Sequence, residues 1–377
     1  MSKRSLSFCA FAMLLILNLP SLLRAEDHPT TAPANVTLKL DGVPPQQALD
    51  EFSSKTGVAL KVWPETLLTE NRKSYSIPET VSLDVQDKTF WEAFGELCAA
   101  LHLQPTNMGS NEEAITLQSH GSSAKGPFAG PQSVSPSATV VVTSIQRNHT
   151  ISFDRENPEP STACGINIVA YVDPRLRPMK YNSRPSLDKA EDENGKSLIK
   201  ESSENSSPNM NDMYVRWQVQ HTFIPLDYQP NESHKLANLK GSIALQVAAE
   251  VETLEIPDID QAQGTEKELA GRKVIIDEVK DENNQFSVKF TIKRQDVSKE
   301  EFRKTSNSIF RTVKLRTADN KALSSGGGGG GGDDSLTYTY STSYKSDEDK
   351  PAKLVWELPT RIEDIELPFE FKDLTLP

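Results

Sequence analysis

The sequence predicts a multidomain protein: a small α+β domain built as a β-α-β repeat, followed by two all-β sandwich domains. Three observations support this fold class. A strand-helix-strand pattern near the N-terminus returns 45 residues later, the chain beyond residue 137 reads as short strands with almost no helical periodicity, and stretches of that β-rich part recur in the same order. A chain of 377 residues is long enough for several domains, each with its own hydrophobic core.

Residues 1–25 have the layout of a secretory signal peptide. Lys3 and Arg4 precede the apolar run "FCAFAMLLILNL", and "SLLRA" offers a cleavage site after Ala25. The apolar run is 12 residues long, whereas a membrane-spanning helix needs roughly 20. We therefore expect a secreted or periplasmic protein that is not integral to the membrane after cleavage. An uncleaved anchor is the alternative.

Charge and cysteine content narrow the functional classes. The formal net charge of −12 offers no basic surface for nucleic acid, so we expect no nucleic-acid partner. Beyond the predicted signal only Cys98 and Cys164 remain, which is too few for a disulfide framework. Cys98 lies on the apolar side of a predicted helix and is expected to pack there. A bridge to Cys164 is the alternative, and it would join two different domains.

The first predicted unit begins with the strand "VTLKL" and continues into a helix. Its alternating apolar residues, which share one face, are Val36, Leu38 and Leu40. Pro44 and Pro45 suit the start of a helix, where the missing N–H is harmless, and Gly57 stands where a helix ends. Strand-like alternation resumes in "VALKVW", which completes a β-α-β unit.

The same unit recurs at a spacing of 45 residues. The apolar residues Val36, Leu38, Leu40, Ala48, Leu49, Phe52 and Val58 fall on Val81, Leu83, Val85, Ala93, Phe94, Leu97 and Leu103. The second unit closes with the strand-like "AITLQ". Residues 34–119 are therefore predicted to form one small α+β domain with two similar halves.

This domain carries the pattern D-G-V-P-x-x-x-A-L-D-x-x-x-x-x-T-G, followed by "VSLDVQDKTFWEAFGEL". It resembles the short N-terminal domain of secretins and TonB-dependent receptors, over about 85 of the 377 residues. The second half departs from the pattern, with Leu101-His102 in place of Thr-Gly. The resemblance implies a periplasmic module that docks an envelope protein partner and has no catalytic residues. Val36, Leu38 and Leu40 are the candidate partner-binding residues, by strand addition at a sheet edge.

The rest of the chain divides into a linker at 120–136, a first sandwich at 137–257, a second linker at 258–272 and a second sandwich at 273–377. The linker at 120–136 is rich in Gly, Ser and Pro. Matching positions in the two sandwiches are 134, 125, 115 and 111 residues apart: Ile145/Val279, Leu198/Leu323, Leu239/Leu354 and Ile256/Leu367. Preserved order with shrinking loops predicts a tandem duplication of one immunoglobulin-like sandwich.

No catalytic, cofactor-binding or metal-binding constellation is evident in the sequence. The histidines lack the spacing of a zinc site, and the Gly326–Gly332 run lacks the Lys-Ser/Thr of a phosphate-binding loop, so we expect a flexible hairpin tip there. Asp258 and Asp260 could hold calcium between the sandwiches, although a solvated loop is favoured. We expect no cofactor and no enzymatic activity.

Aromatic residues offer one alternative function. Tyr338, Tyr340 and Tyr344 share one face of a predicted strand and could form a platform for a carbohydrate or other ligand, although core packing is favoured. Trp217 and Trp356 share faces with aliphatic residues and are predicted to be core residues. The sequence therefore favours a non-catalytic cell-envelope docking or scaffold protein. A carbohydrate- or ligand-binding envelope module that uses the sandwiches is the alternative.

Overall fold

The computed structural model describes residues 33–70, 72–106, 114–119, 128–153, 160–200, 210–214, 217–228, 233–323, 325–346 and 349–377. The predicted signal peptide lies outside these residues. The described part is mostly β-sheet, with 58% strand, several sheets and three α-helices. The prediction of a largely β protein is confirmed.

The N-terminal unit that was predicted as an α+β domain, called the α/β domain from here on, contains two helices and two small sheets. Its elements are β1 (Val36–Val43), α1 (Pro45–Thr56), β2 (Leu60–Val62), β3 (Val81–Lys88), α2 (Phe90–Leu101), β4 (Leu103–Thr106) and β5 (Ile115–Ser119). β1 pairs with β3 in an antiparallel two-stranded sheet, and β2, β5 and β4 form a three-stranded sheet in that order. Both helices pack between these strands through apolar side chains.

The two halves of this domain repeat at the spacing seen in the sequence. α1 and α2 have the same length, and their starts are 45 residues apart. Gly57 ends α1 with φ 72°, and His102 ends α2 with φ 57°, so both C-caps adopt the left-handed conformation. Glycine adopts it without strain, whereas a residue with a side chain does so at a cost of roughly 1–2 kcal/mol. A 2.7 Å contact between His102 Nδ1 and the carbonyl oxygen of Ser76 helps to hold this turn.

The β-rich part forms three larger sheets and carries the third helix. Its elements are β6 (Gln132–Val134), β7 (Ala138–Ile151), β8 (Pro160–Val172), β9 (Pro178–Asn182), β10 (Ser186–Asp192), β11 (Met210–Tyr214), β12 (Gln218–Leu226), β13 (Lys235–Pro257), β14 (Glu266–Leu269), β15 (Arg272–Glu282), β16 (Gln285–Arg294), α3 (Lys299–Thr312), β17 (Val313–Arg316), β18 (Gly326–Gly331), β19 (Ser335–Ser343) and β20 (Lys353–Thr375). The sheet orders are β12-β8-β7-β6, β14-β15-β16-β19-β18 and β11-β9-β13-β20-β17, with β10 also on β13.

The long strands β13 and β20 form a central pair that serves two hydrophobic cores. Each has 23 residues, and they pair antiparallel from Lys235↔Thr375 to Pro257↔Lys353. The Ile243 and Leu367 end packs against the four-stranded sheet, which gives the first β core. The Ile256 and Leu354 end packs against the five-stranded sheet, which gives the second β core. The prediction assigned β20 to the second sandwich alone, but 23 residues at about 3.3 Å each reach across both cores.

Equivalent backbone contacts recur at the predicted spacings. The β7–β8 register shifts between Val142 and Ser144, and the β15–β16 register shifts between Ile276 and Glu278, which are 134 residues further on. The amide of Val142 donates to Pro131, just as that of Ile276 donates to Thr265, at the same spacing. Four strands of the two sheets therefore lie in the same order, and one register shift occurs at the same place in both.

The later matches hold in two of three cases. Leu198 donates to Ala190, and Leu323 donates to Leu315, so the spacing of 125 is reproduced. The partners of Ala190 and Leu315 across the sheet are Leu239 and Leu354, which reproduces the spacing of 115. The fourth predicted match, Ile256 with Leu367, is wrong by four residues. Leu239 and Leu354 are equivalent positions, so their partners across the β13–β20 pair are equivalent too. Leu354 pairs with Ile256 and Leu239 pairs with Phe371, so Ile256 corresponds to Phe371.

Parts of both predicted linkers belong to the folded β structure. Of the segment 120–136, residues 128–136 are described, and they include β6 at the edge of the four-stranded sheet. The segment 258–272 contains a short 3-10 helix (Ile259–Gln261) and β14, and it buries Ile259 and Leu269 in the second β core. The Gly, Ser and Pro content marked 120–136 as a linker, and 258–272 was assigned as the segment between the two predicted sandwiches. Apolar side chains nevertheless anchor the described part of both segments.

The glycine run is an edge strand, so the prediction of a hairpin tip is wrong. Gly326–Gly331 pair with β19 in six consecutive antiparallel positions. A Cβ atom at Gly327, Gly329 or Gly331 would lie 2.6, 2.3 or 2.1 Å from a carbonyl oxygen of the neighbouring strand β19. These alternate positions therefore require glycine for the close approach of the backbones.

Candidate functional site

The residues predicted to bind a partner point into the α/β core. Val36, Leu38 and Leu40 are 3%, 8% and 3% exposed and belong to one apolar cluster with residues of both helices and of β3. Their side chains are therefore not a contact surface, and this part of the prediction is corrected. The alternation that identified the strand is also what buries them. The residues between them and after them, Thr37, Lys39 and Asp41, are exposed on the opposite face.

The β1–β3 sheet has open backbone edges within the described part of the chain. Only these two strands belong to it, so neither outer edge is paired with a described strand. Lys39 stands opposite Asp84 in the regular stretch, and register shifts bound that stretch on both sides. An open edge presents N–H and C=O groups that an incoming extended segment can pair with. The backbone of β1, rather than its buried side chains, is the candidate docking element.

The α/β domain packs on the β-rich part through an aromatic junction, which we define as Trp91, Phe128, Tyr171 and Trp217. Ring centroids of Phe128, Tyr171 and Trp217 lie 6.0, 5.4 and 5.8 Å from that of Trp91 in α2. Tyr171 is in β8, and the carbonyl of Trp217 accepts the amide of Val172 at 2.8 Å. Aromatic pairs at such distances stabilise beyond their burial by about 0.5–1.5 kcal/mol. The junction therefore connects α2 directly to the four-stranded sheet.

Gly95 makes room for this junction. A Cβ atom there would lie 3.1 Å from the Phe128 ring, which is tighter than an ordinary contact. The absence of a side chain lets the Phe128 ring lie against the surface of α2. Burial raises the pKa of the Tyr171 hydroxyl.

Arg175 makes a hydrogen bond to the chain just before β1. Arg175 forms a salt bridge with the buried carboxylate of Asp173, with 2.6 Å between Nη2 and Oδ2. Its Nη1 donates to the carbonyl of Ala34 at 2.9 Å, and its guanidinium lies 5.6 Å from the Phe90 ring centroid. Since Ala34 lies two residues before the first residue of β1, these contacts attach the start of β1 to the β-rich part. A planar guanidinium can make all of these contacts at once.

The predicted tyrosine platform is not an exposed surface. Tyr338 and Tyr340 are each 2% exposed, and their rings lie 6.1 and 5.8 Å from that of Phe290. The Tyr340 hydroxyl donates to the carbonyl of Ile309, and the partly buried Tyr344 donates to Asp281. Tyr338 and Tyr340 therefore lie in the core, as the favoured expectation had it, and the alternative of an exposed platform of three tyrosines is wrong.

The other singled-out residues are structural. Trp217 is 8% exposed, and Trp356 is 1% exposed, with its Nε1 donating to Thr312. Cys98 and Cys164 are free and buried in different cores, and burial raises the pKa of both thiols.

Neither a metal-ligand cluster nor a membrane-spanning helix is found among the described residues. No group of three or more His, Cys, Asp or Glu side chains could hold a metal ion there. The carboxylate of Asp260, one of the two aspartates considered for calcium, lies 3.7 Å from Lys350 Nζ. No helix of the described ranges is long and apolar enough to cross a bilayer.

The aromatic junction escaped sequence reasoning, because its members come from segments far apart in the chain. One signal was available: Phe128 is the only Phe, Tyr or Trp in the predicted linker 120–136. A large apolar ring in an otherwise small and polar segment indicates that the segment packs against something. Comparison with protein-family models, curated proteins and solved structures found no match to this chain.

Proposed function

We propose that this chain is a non-catalytic bacterial cell-envelope protein, secreted or periplasmic, that docks an envelope protein through its N-terminal α/β domain. The observation that carries the proposal is the open edge of β1. That strand belongs to a two-stranded sheet whose inner face is anchored in a core. An incoming extended segment would add a third strand and gain backbone hydrogen bonds. The signal-like N-terminus and the resemblance of residues 34–119 to a periplasmic docking domain support the compartment.

The contacts that attach the α/β domain to the β-rich part support the edge of β1 as the docking element. Arg175 donates a hydrogen bond to Ala34, two residues before β1, and the aromatic junction holds α2 against the four-stranded sheet. An edge that is held in place loses less conformational entropy when a partner binds. The docking strand is thus presented on a fixed support.

The β-rich part would act as the scaffold. We infer that it consists of two immunoglobulin-like sandwiches related by duplication, with β13 and β20 exchanged between them. The recurring register shifts and hydrogen bonds at spacings of 134, 125 and 115 residues support this duplication. A continuous strand pair that joins both cores resists bending between them, which suits a spacer.

Charge variants of the edge test the proposal. In the native host, the tagged full-length chain would be recovered with its bound envelope protein. The double variant Thr37→Glu with Lys39→Glu makes the net charge on the exposed side of β1 more negative by three. Ser54→Glu with Lys55→Glu makes the same change on the exposed end of α1 and is the matched control.

We expect the β1 variant to lose the bound protein and the α1 variant to retain it, while both stay folded and unfold in one cooperative thermal transition. Retention by the β1 variant, or equal loss from both variants, would contradict docking at this edge.

A further inference from the structure

The hairpin formed by β7 and β8 continues beyond the sheet to which it belongs. β6 pairs with β7 only as far as Val141, and β12 reaches only Cys164 of β8. The two strands pair with each other out to Ile151. Residues 146–153 and 160–163, which we call the β-arm, therefore have no described strand at either edge.

The fold does not require this arm. In the corresponding hairpin of the five-stranded sheet, β15 turns into β16 through Asn283 and Asn284 alone, with φ 54° and 60°. Positions before the turn are 134 residues apart in the two sheets, and positions after it, such as Ile168 and Phe290, are 122 apart. Residues 149–162 therefore occupy the place of that two-residue turn, and they lengthen the hairpin by 12 residues.

One face of the β-arm is basic near the sheet and apolar near its end. Arg147, His149 and Ile151 alternate along β7 and share the face of Cys164, because Arg147 stands opposite that cysteine. Ile151 is 48% exposed, and Phe153, two residues further, is 83% exposed, more than any other large apolar side chain of the described residues. No residue of the arm belongs to the three apolar clusters. Neighbouring apolar side chains that the chain itself leaves uncovered are typical of an interaction surface.

This pattern is complementary to itself. If two β-arms pair antiparallel along β7 about a two-fold axis at Thr150, Arg147 of one copy stands opposite Phe153 of the other, and His149 stands opposite Ile151. A guanidinium beside an aromatic ring is favourable, and the paired edges supply backbone hydrogen bonds. The two-fold axis forms each of these contacts twice.

We propose that the β-arm pairs with the β-arm of a second copy of this chain and so forms a two-fold dimer. Two short arms bury less than the roughly 1,200 Å² of a standard interface, so we expect association in the micromolar range. The arm contains no residue of the β1 edge, so the dimer contact is separate from the docking site.

Sedimentation velocity of the folded full-length chain, from about 1 to about 200 μM, tests the proposal. We expect a shift from one chain to two as the concentration rises. Replacing residues 149–162 with Asn-Asn, the turn of the corresponding hairpin, should leave a monomer throughout. Phe153→Asp should weaken association at least about ten-fold, as loss of a central aromatic contact does. Tyr75→Asp, at an aromatic residue of the α/β domain that is 42% exposed, is the matched control and should leave association unchanged.

Urea unfolding, measured at protein concentrations below the dissociation constant, keeps folding apart from association. Because the arm lies outside the three apolar clusters, both arm variants should keep the stability of the single chain. A chain that stays monomeric over the whole range, a dimer that both arm variants retain, or equal weakening by Tyr75→Asp would overturn the proposal.

Discussion

The ring centroids of Trp91 and Trp217 lie 5.8 Å apart, although the two residues are 126 positions apart in the chain. Trp91 belongs to α2, and Trp217 directly precedes β12. Their contact attaches the α/β domain to the four-stranded sheet, and both side chains belong to the same apolar cluster. The domain and the sheet are therefore expected to unfold together.

Replacing Trp217 with alanine should destabilise the protein by about 3 kcal/mol, because it removes a buried ring and leaves a cavity. Phe153→Ala, at a residue that is 83% exposed, should change stability by no more than about 0.5 kcal/mol. Urea unfolding followed by circular dichroism measures both. Similar stabilities for the two variants would show that the aromatic junction does not hold the domain.

The glycine edge strand predicts an alternation in the effect of alanine. Gly327→Ala with Gly329→Ala should destabilise the chain by more than about 1 kcal/mol, because each Cβ would meet a backbone oxygen of the neighbouring strand. Gly328→Ala with Gly330→Ala, where no atom lies within 4 Å of the added Cβ, should be neutral or stabilising by about 0.4–1 kcal/mol per site. Thermal unfolding of the two double variants distinguishes them. Equal effects would rule out the close strand pairing.

Asp281 predicts a pH-dependent contribution to stability. Hydrogen bonds from Lys350 and Tyr344 lower the pKa of its carboxyl group, with 2.8 and 2.7 Å to the carboxylate oxygens. A lowered pKa in the folded state stabilises the protein at pH values above the unfolded pKa, near 3.9, and this stabilisation is lost as the pH falls through the folded pKa.

Asp281→Asn should therefore be less stable than the unaltered chain by up to about 1 kcal/mol at neutral pH, with the difference fading in acid. Urea unfolding of both proteins over a pH series measures it. A difference that does not vary with pH would contradict the role of this carboxylate.

The two buried cysteines predict unreactive thiols. Burial raises the pKa of Cys98 and Cys164, so little thiolate forms at neutral pH, and reagents cannot reach the sulfur in the folded chain. In a Cys9→Ser background, a thiol-specific reagent should label neither residue until denaturant is added, and both afterwards. Rapid labelling of the native protein would place at least one thiol at the surface.

Local patterns predicted the strands and helices between residues 36 and 119 well. The seven apolar positions and the turn at Gly57 follow from spacing along a single strand or helix, so the repeat of 45 residues was visible without long-range information. The same spacing could not show that Val36 and Leu38 fill the core instead of facing a partner. Periodicity identifies a shared face but not what covers it.

For the β-rich part, the sequence predicted that it consists of strands but not which strands pair with each other. The recurring positions gave the correct correspondence for Leu239 and Leu354, yet not the fact that their strands pair with each other along their whole length. Antiparallel pairing across more than a hundred residues leaves no local trace. The glycine run has no side chains to alternate, so no strand period could appear in it.

Photo-crosslinking from Lys39 in the native host tests the docking function most directly. A benzophenone side chain placed at Lys39, on the exposed face of the edge strand, should form one discrete adduct with another envelope protein. The same group at Ser54, exposed on α1, should form none. An adduct from Ser54 without one from Lys39, or an adduct with a second copy of this chain alone, would contradict the account.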